Sequence, residues 1–307
     1  AAVRHQSGRN DSAAKLLKET ISAISLVASR YRQPNDMPIE IWEVMTSANL
    51  LLGQTAADLG EVDEAEASLR AAEDAYSNVL LVRAPTTGRY YRGLATTYRY
   101  QARLKSLAGD DAAAEKLLKA AFGAAGSAGN WPPTIDVREE LAQIHSEFAQ
   151  LCQRRDDDVE WRRNLNAAIE LLAGESDDEL RIQLAVLLLD SGTAADLARA
   201  ERTLRALNET SDASDVSLAL LGRYQVETQR WDEAIATLSK IKTEDAPPNS
   251  PHEHWLAWAF FWRGREGDRA LAVATLDKAR ARVDEAAPGD PRLRALTERI
   301  ERMLKPE

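Results

Sequence analysis

Four histidines, one cysteine and a few short acidic runs are the side chains with which this chain of 307 residues could do metal or nucleophilic chemistry. His252 and His254 flank Glu253. On a helix that i, i+2 spacing turns the two imidazoles apart, and it is not the HExxH arrangement of zinc proteases. The three residues read instead as the polar opening of a helix, with Glu253 near the favourable end of its dipole. Cys152 lies seven residues after His145 and shares its helical face with Leu141, Phe148 and Ala149. Nothing nearby would depress a thiol pKa, so Cys152 reads as a small buried residue. Asp156-Asp157-Asp158 and Asp177-Asp178-Glu179 fall at turns without EF-hand ligand spacing, which suits helix capping and loop solvation. No phosphate-cradling glycine loop and no nucleophile elbow occurs. The expectation is a segment with no catalytic residues, no metal site, no cofactor and no enzyme activity.

The elements that would position any site are helices. Leu52 to Tyr76, LGQTAADLGEVDEAEASLRAAEDAY, reads as two helices around a turn at Gly60. Ala65, Leu69 and Ala72 form the inward stripe of the second helix, while Glu64, Glu66, Arg70 and Glu73 face water. Such a hairpin cannot bury its stripe alone and needs copies of itself on both sides. The small residue that opens the stripe recurs at Ala65, Ala114, Trp161, Ala200, Ala234 and Ala272, at separations of 49, 47, 39, 34 and 38 residues. Trp161 breaks the small-residue rule and predicts local widening, and three extra residues are placed in the turn after Gly192. Trp131 is expected to pack over its loop. The predicted hairpins are 39–82, 89–125, 135–174, 178–209, 215–243 and 252–285, after a partial first repeat at 1–32. An amphipathic segment at 291–305, with Leu293, Leu296, Ile300 and Leu304 on one side, caps the end.

Composition agrees with helices and narrows the function classes. Hydrophobic residues make up 44% of the chain, charged residues 29% and aromatic residues only 6%, which suits alanine-rich helices better than stacked sheets. A net charge of −10 argues against nucleic acid and anionic lipid as partners. The single cysteine excludes an intrachain disulfide framework and favours a cytoplasmic setting. The strongest apolar runs, Ala185–Leu189 and Trp255–Trp262, are too short to span a membrane. The opening residues lack an initiator Met, and Ala13–Val27 has the pattern of a second helix whose first is missing, so the expectation is a piece of a longer protein.

The small residues Gly53, Ala102, Ala149, Ala185 and Gly222, the turn glycines Gly60, Gly109, Gly192 and Gly267, and the Ala-x-x-x-Leu-x-x-Ala stripes together resemble tetratricopeptide (TPR) repeats. The resemblance implies an all-α, right-handed superhelical solenoid of helix hairpins with a C-terminal capping helix, spanning 1–307 as one array. YYRGLATTYRYQARL, VREELAQIHSEFAQL and the late HEHWLAWAFFWRGREGDRALAVATLDKA are also similar to the arrays that follow the catalytic domain in some bacterial Ser/Thr protein kinases. No kinase motif is present, so that resemblance implies the non-catalytic part of a signalling protein.

In a TPR superhelix the first helix of each hairpin lines the concave face. The resemblance therefore places a partner-binding surface at Arg99, Arg103, Gln143, Ser146, Gln150, Gln153, Arg223, His254 and Trp258. Arg99 and Arg103, at i, i+4, are expected to offer two guanidinium groups to one carboxylate or phosphate. The lysine and asparagine clamp that some TPR domains use for a terminal carboxylate is replaced here by Leu50, Gln54, Tyr100, Gln143 and Glu147. Of the late aromatic cluster, Trp255 and Trp262 are expected in the core and Trp258 exposed. The expected function is a protein-interaction scaffold for a peptide or protein segment, acidic in character. Dimerisation or restraint of an attached enzyme domain is the alternative, with self-association left open.

Overall fold

The computed structural model describes the backbone of all residues except 1, 32, 34–35, 130–136, 210–213, 243–250, 287–290 and 305–307, and no side chain at 2–11, 283–286 or 291–295. The described residues form helices and turns, with no strand among them. They divide into two compact units, one of Arg9–Ala173 and one of Gly174–Glu307 together with Ala1–Gly8.

In the first unit, the part of α1 (Ala2–Ala28) from Arg9 onward precedes three hairpins. These are α2 (Ile39–Leu59) with α3 (Val62–Ala75), α5 (Gly88–Leu107) with α6 (Asp111–Ala128), and α7 (Arg138–Arg154) with α8 (Asp158–Leu172). After α3 the chain passes through one π-helical stretch, Tyr76–Leu80, and the single turn α4 (Leu81–Arg83). Each first helix packs on its own second helix, α2 also packs on α5 and α5 on α7, and the second helices α3 and α6 pack on the first helix that follows them. That is the TPR-like arrangement, and it buries one continuous cluster running from Ala72 through Leu94 and Leu118 to Ile144 and Leu151.

The second unit repeats the plan with α9 (Asp178–Ser191) and α10 (Ala194–Asn208), α11 (Asp215–Glu227) and α12 (Trp231–Leu238), and α13 (His252–Arg263) and α14 (Asp268–Ala286). It closes with α15 (Pro291–Leu304), which lays Leu296, Ile300 and Leu304 against Ala257 and Leu276. The capping role expected of 291–305 is thus filled, although Leu293 lies outside the described side chains. Trp131 lies outside the described residues.

Two local rules explain why these hairpins close. Where Gly53 meets Leu69, an added Cβ would come within 2.6 Å of Leu69 Cγ, and Gly222 has Leu238 pressed against it in the same way. The small position of the first helix is therefore the seat of the leucine of the second. At these turns one residue takes positive φ and the next is the N-cap of the second helix. Gly60 at φ 78° and Gly109 at φ 79° do so without steric penalty, but Asp156 at φ 55° and Gln229 at φ 60° fill the same place in their hairpins. Asp110, Asp157 and Thr193 then cap helices by accepting from the backbone N–H three residues on, and Asp177 accepts from Glu179 and Leu180. The acidic runs at 156–158 and 177–179 are thus cap-bearing turns.

The three extra residues do not lengthen the turn after Gly192. The turn there is Gly192-Thr193 and α10 begins at once at Ala194, so the added length is an extra turn at the start of that helix, before the buried Ala200. A hydrogen-bonded turn satisfies backbone groups that a longer loop would leave to water. Trp161 sits half-buried at the small position of α8, and Leu165, Ala168 and Ile169 carry the burial.

Candidate functional site

An open concavity in the first unit lies where three consecutive first helices meet. It has a volume of about 420 Å³. Leu50 and Gln54 of α2 form one wall, Glu139 and Gln143 of α7 the other, and Arg92, Thr96 and Tyr100 of α5 run between them. Gly93 gives the floor a patch of bare backbone, because Tyr76 from the π-helical stretch lies directly beneath and a Cβ would collide with its hydroxyl. Burial pushes the Tyr76 hydroxyl pKa up to about 12.

Charge in the groove follows from helical spacing. Arg89, Arg92, Thr96, Arg99 and Arg103 fall three and four apart on α5 and share one face. The outer two arginines reach back to α2, Arg89 to Glu43 and Arg103 to Asp58 at 3.2 Å. The inner two reach forward to α7, Arg92 to Glu139 at 3.5 Å and Arg99 to Glu140 at 2.8 Å. Arg99 and Glu140 are 8% and 5% exposed. The Thr96 hydroxyl donates to the other Glu140 oxygen at 2.9 Å, and the Arg99 guanidinium stacks 4.7 Å from the centre of the Tyr100 ring. Burial alone would lower the Arg99 pKa, but the Glu140 carboxylate beside it more than offsets this and leaves it raised. The pair is a fixed, charged floor.

Arg99 and Arg103 therefore do not offer a joint pair of guanidinium groups. They turn to opposite neighbours, Arg99 into the buried pair with Glu140 and Arg103 to the half-exposed Asp58. Gln143 lines the groove and donates to Glu139 Oε1 at 3.1 Å. Ser146 and Gln150 are half-buried further along α7, and Gln153 is exposed. The clamp-equivalent positions Leu50, Gln54, Tyr100 and Gln143 all line the groove. Arg89, Arg92, Glu139 and Glu140 are lining residues that the concave-face expectation missed. Their signal was present as the three-and-four spacing of basic residues on one first helix, with acids on both flanking ones.

The remaining predicted residues lie in the second unit and are engaged in its packing. Arg223 is held between Asp190 at 2.9 Å and Glu227 at 2.7 Å, beside the Trp255 ring. His254 is 1% exposed and its Nε2 lies 2.8 Å from Thr297 Oγ1 of α15. Burial, and then Arg282, lower its pKa to about 4. Trp258 is half-buried under the Arg299 guanidinium, 4.6 Å from its ring centre, because α15 covers that side of α13. The exposed ring is Trp262, at 51%, on the last turn of α13 beside Trp231. The expected roles of Trp258 and Trp262 are exchanged, and Trp255 is half-buried.

Cys152 is half-buried and its thiol pKa is pushed up, by burial first and then by Asp157 and Glu160. Among the described residues no group of three histidine, cysteine or carboxylate side chains is placed to hold a metal ion, and no helix is long and apolar enough to cross a membrane.

Stacked helix hairpins with a polar groove across the first helices define an all-α helical-repeat protein. No family model matches the chain, and no curated protein matches it. Among solved structures it is similar to BtubC (BKLC) from P. vanneervenii, at 14% identity and a TM-score of 0.44, covering 94% of this chain and 92% of that one. It is also similar to yeast Tom70, at 14% identity and a TM-score of 0.33, covering 96% of this chain and 62% of Tom70. The chain thus spans less than two thirds of the length of Tom70.

Proposed function

We propose that this chain is a non-catalytic, TPR-type interaction scaffold that binds a peptide segment of another protein in the groove of α2, α5 and α7. The observation that carries the reading is the groove floor. The Arg99–Glu140 pair, Thr96 and Tyr100 are locked together before any ligand arrives, so a segment entering the groove meets a surface that needs little ordering. Walls from three successive hairpins give an extended ligand contacts at several points along its length. The similarity of the α5, α7 and α13 openings to kinase-appended arrays supports a place in a larger bacterial signalling protein. The single cysteine supports a cytoplasmic setting, and the charge of −10 speaks against nucleic acid as the partner.

A photo-reactive amino acid placed at Gln54, on the groove wall, tests this. Irradiation in a cell lysate is expected to yield crosslinks to segments of other proteins. The same probe at Lys116, on the exposed face of α6, is the control. Equal yields and identical partners from the two positions would overturn the groove as the binding surface.

A further inference from the structure

The four arginines of α5 are not equally satisfied. Arg89 is bonded to Glu43, Arg99 to Glu140 at 2.8 Å and Arg103 to Asp58 at 3.2 Å, all within hydrogen-bond range. Arg92 has the loosest of these contacts, 3.5 Å to Glu139 Oε2, and its side chain is 42% exposed. Glu139 also accepts from the Gln143 amide, which holds its other oxygen at 3.1 Å. A guanidinium has five donors in a rigid fork, so Arg92 presents most of its capacity to the groove. Arg89, one turn before it and 63% exposed, opens onto the same space.

The charge balance then limits what can sit there. Arg89, Arg92 and Arg99 are set against Glu43, Glu139 and Glu140, three positive charges against three negative, and the loosely held Arg92 is the guanidinium with donors left for one added anion. The positive end of α5, which starts at Gly88, adds to the potential at Arg89 and Arg92. A second or third ligand anion would meet Glu43, Glu139 and the net charge of −10 of the chain.

We propose that the groove selects a segment carrying one side-chain carboxylate between neutral neighbours, seated on the Arg92 guanidinium with Arg89 as the second donor. This rests on the peptide-binding reading above and names the chemistry that the groove chooses.

The test uses the full chain, labelled with 15N so that the arginine Nε–H signals are read by NMR. It is titrated with a capped peptide Ser-Asn-Gln-Glu-Gln-Asn-Ser and with the same peptide carrying Gln at its centre. The glutamate peptide is expected to move the Arg92 and Arg89 signals and to bind about tenfold more tightly than its partner, as a charge-assisted hydrogen bond implies. Arg92→Gln is expected to remove that discrimination, while Arg103→Gln, outside the lining, leaves it intact. Equal saturable binding of both peptides would overturn the carboxylate preference and leave the groove a peptide site. Discrimination that survives Arg92→Gln, or no binding of either peptide at millimolar concentration, would also overturn the proposal. An uncapped peptide whose only carboxylate is its C-terminus, if it bound as tightly, would overturn the choice of a side chain.

Discussion

Both units bury charge, and they do so on different terms. In the first, Glu140 has one oxygen on Arg99 and the other on Thr96, and the pair opens onto a groove. In the second, Glu253, buried at the start of α13, has Arg282 at 3.0 Å on one oxygen, while among the described residues its other oxygen and His254 Nδ1 have no hydrogen-bond partner. That cluster lies beneath α15, with His254 against Thr297. A satisfied buried network rigidifies the structure around it, whereas a partly satisfied one carries an uncompensated desolvation cost. The first arrangement suits a surface that must be ready for a ligand. The second makes the contact between α13 and α15 conditional on the charge of His254.

Removing one partner of the satisfied pair gives the largest effect. Arg99→Ala leaves Glu140 buried beside the groove without its countercharge and is expected to lower stability by about 3–5 kcal/mol in urea denaturation. Replacing both residues with apolar side chains of similar size, Arg99→Met with Glu140→Leu, is expected to recover most of that loss. If the single and double variants melt alike, the pair is not the unit described here.

Acid should act on the other cluster. A histidine whose folded pKa lies below its unfolded value takes its proton more readily when the chain unfolds. Stability is then complete above about pH 6.5 and falls as pH drops toward 4, by roughly 3 kcal/mol for His254. Hydrogen exchange should show protection lost in α13 and α15 over that window while α5 keeps its own. His254→Leu is expected to flatten the response. An unchanged pH profile in that variant would place the titration elsewhere.

The regions also share a device, so one substitution can be made in both. Gly53→Ala drives a methyl into Leu69 and Gly222→Ala drives one into Leu238, each at an expected cost of about 1–3 kcal/mol. Similar losses would show that the two units are built by the same hairpin rule. A loss in only one would mean that the other can shift its leucine.

What could be read from the sequence is what depends on near neighbours in the chain. The Ala65, Leu69 and Ala72 stripe, the seats at Gly53 and Gly222, the turn at Gly60 and the caps at Asp157 and Asp177 are each settled within about a turn or a hairpin. The groove was half legible. Its helices and several lining positions follow from the repeat pattern, but the partner of Arg99 is 41 residues away on another helix. Which of α2 or α7 an arginine reaches depends on how α5 is rotated about its axis, and periodicity fixes that only to within a side-chain width. Trp258 and Trp262 are i, i+4 on the same helix, so only the position of α15 decides which of them is covered. The division at residues 173 and 174 falls where the repeat spacing shortens, from 49 and 47 residues within the first unit to 34 and 38 within the second.

The smallest expected effect is a gain, and it also compares the units. Asp156 in the first and Gln229 in the second hold the left-handed turn position that Gly60, Gly109 and Gly192 occupy elsewhere. Asparagine and aspartate tolerate that conformation better than glutamine, because their short side chains can bond locally to the backbone. Gln229→Gly is therefore expected to raise stability by about 1 kcal/mol, and Asp156→Gly by less, since removing φ strain is partly offset by the extra freedom of glycine in the unfolded chain. Paired thermal melts would resolve the order. A larger gain at Asp156 than at Gln229 would mean that the second unit carries its turn strain with compensation that the hydrogen bonds around Arg230 supply, where Nε and Nη2 both reach Glu233 and Nη1 reaches Glu201.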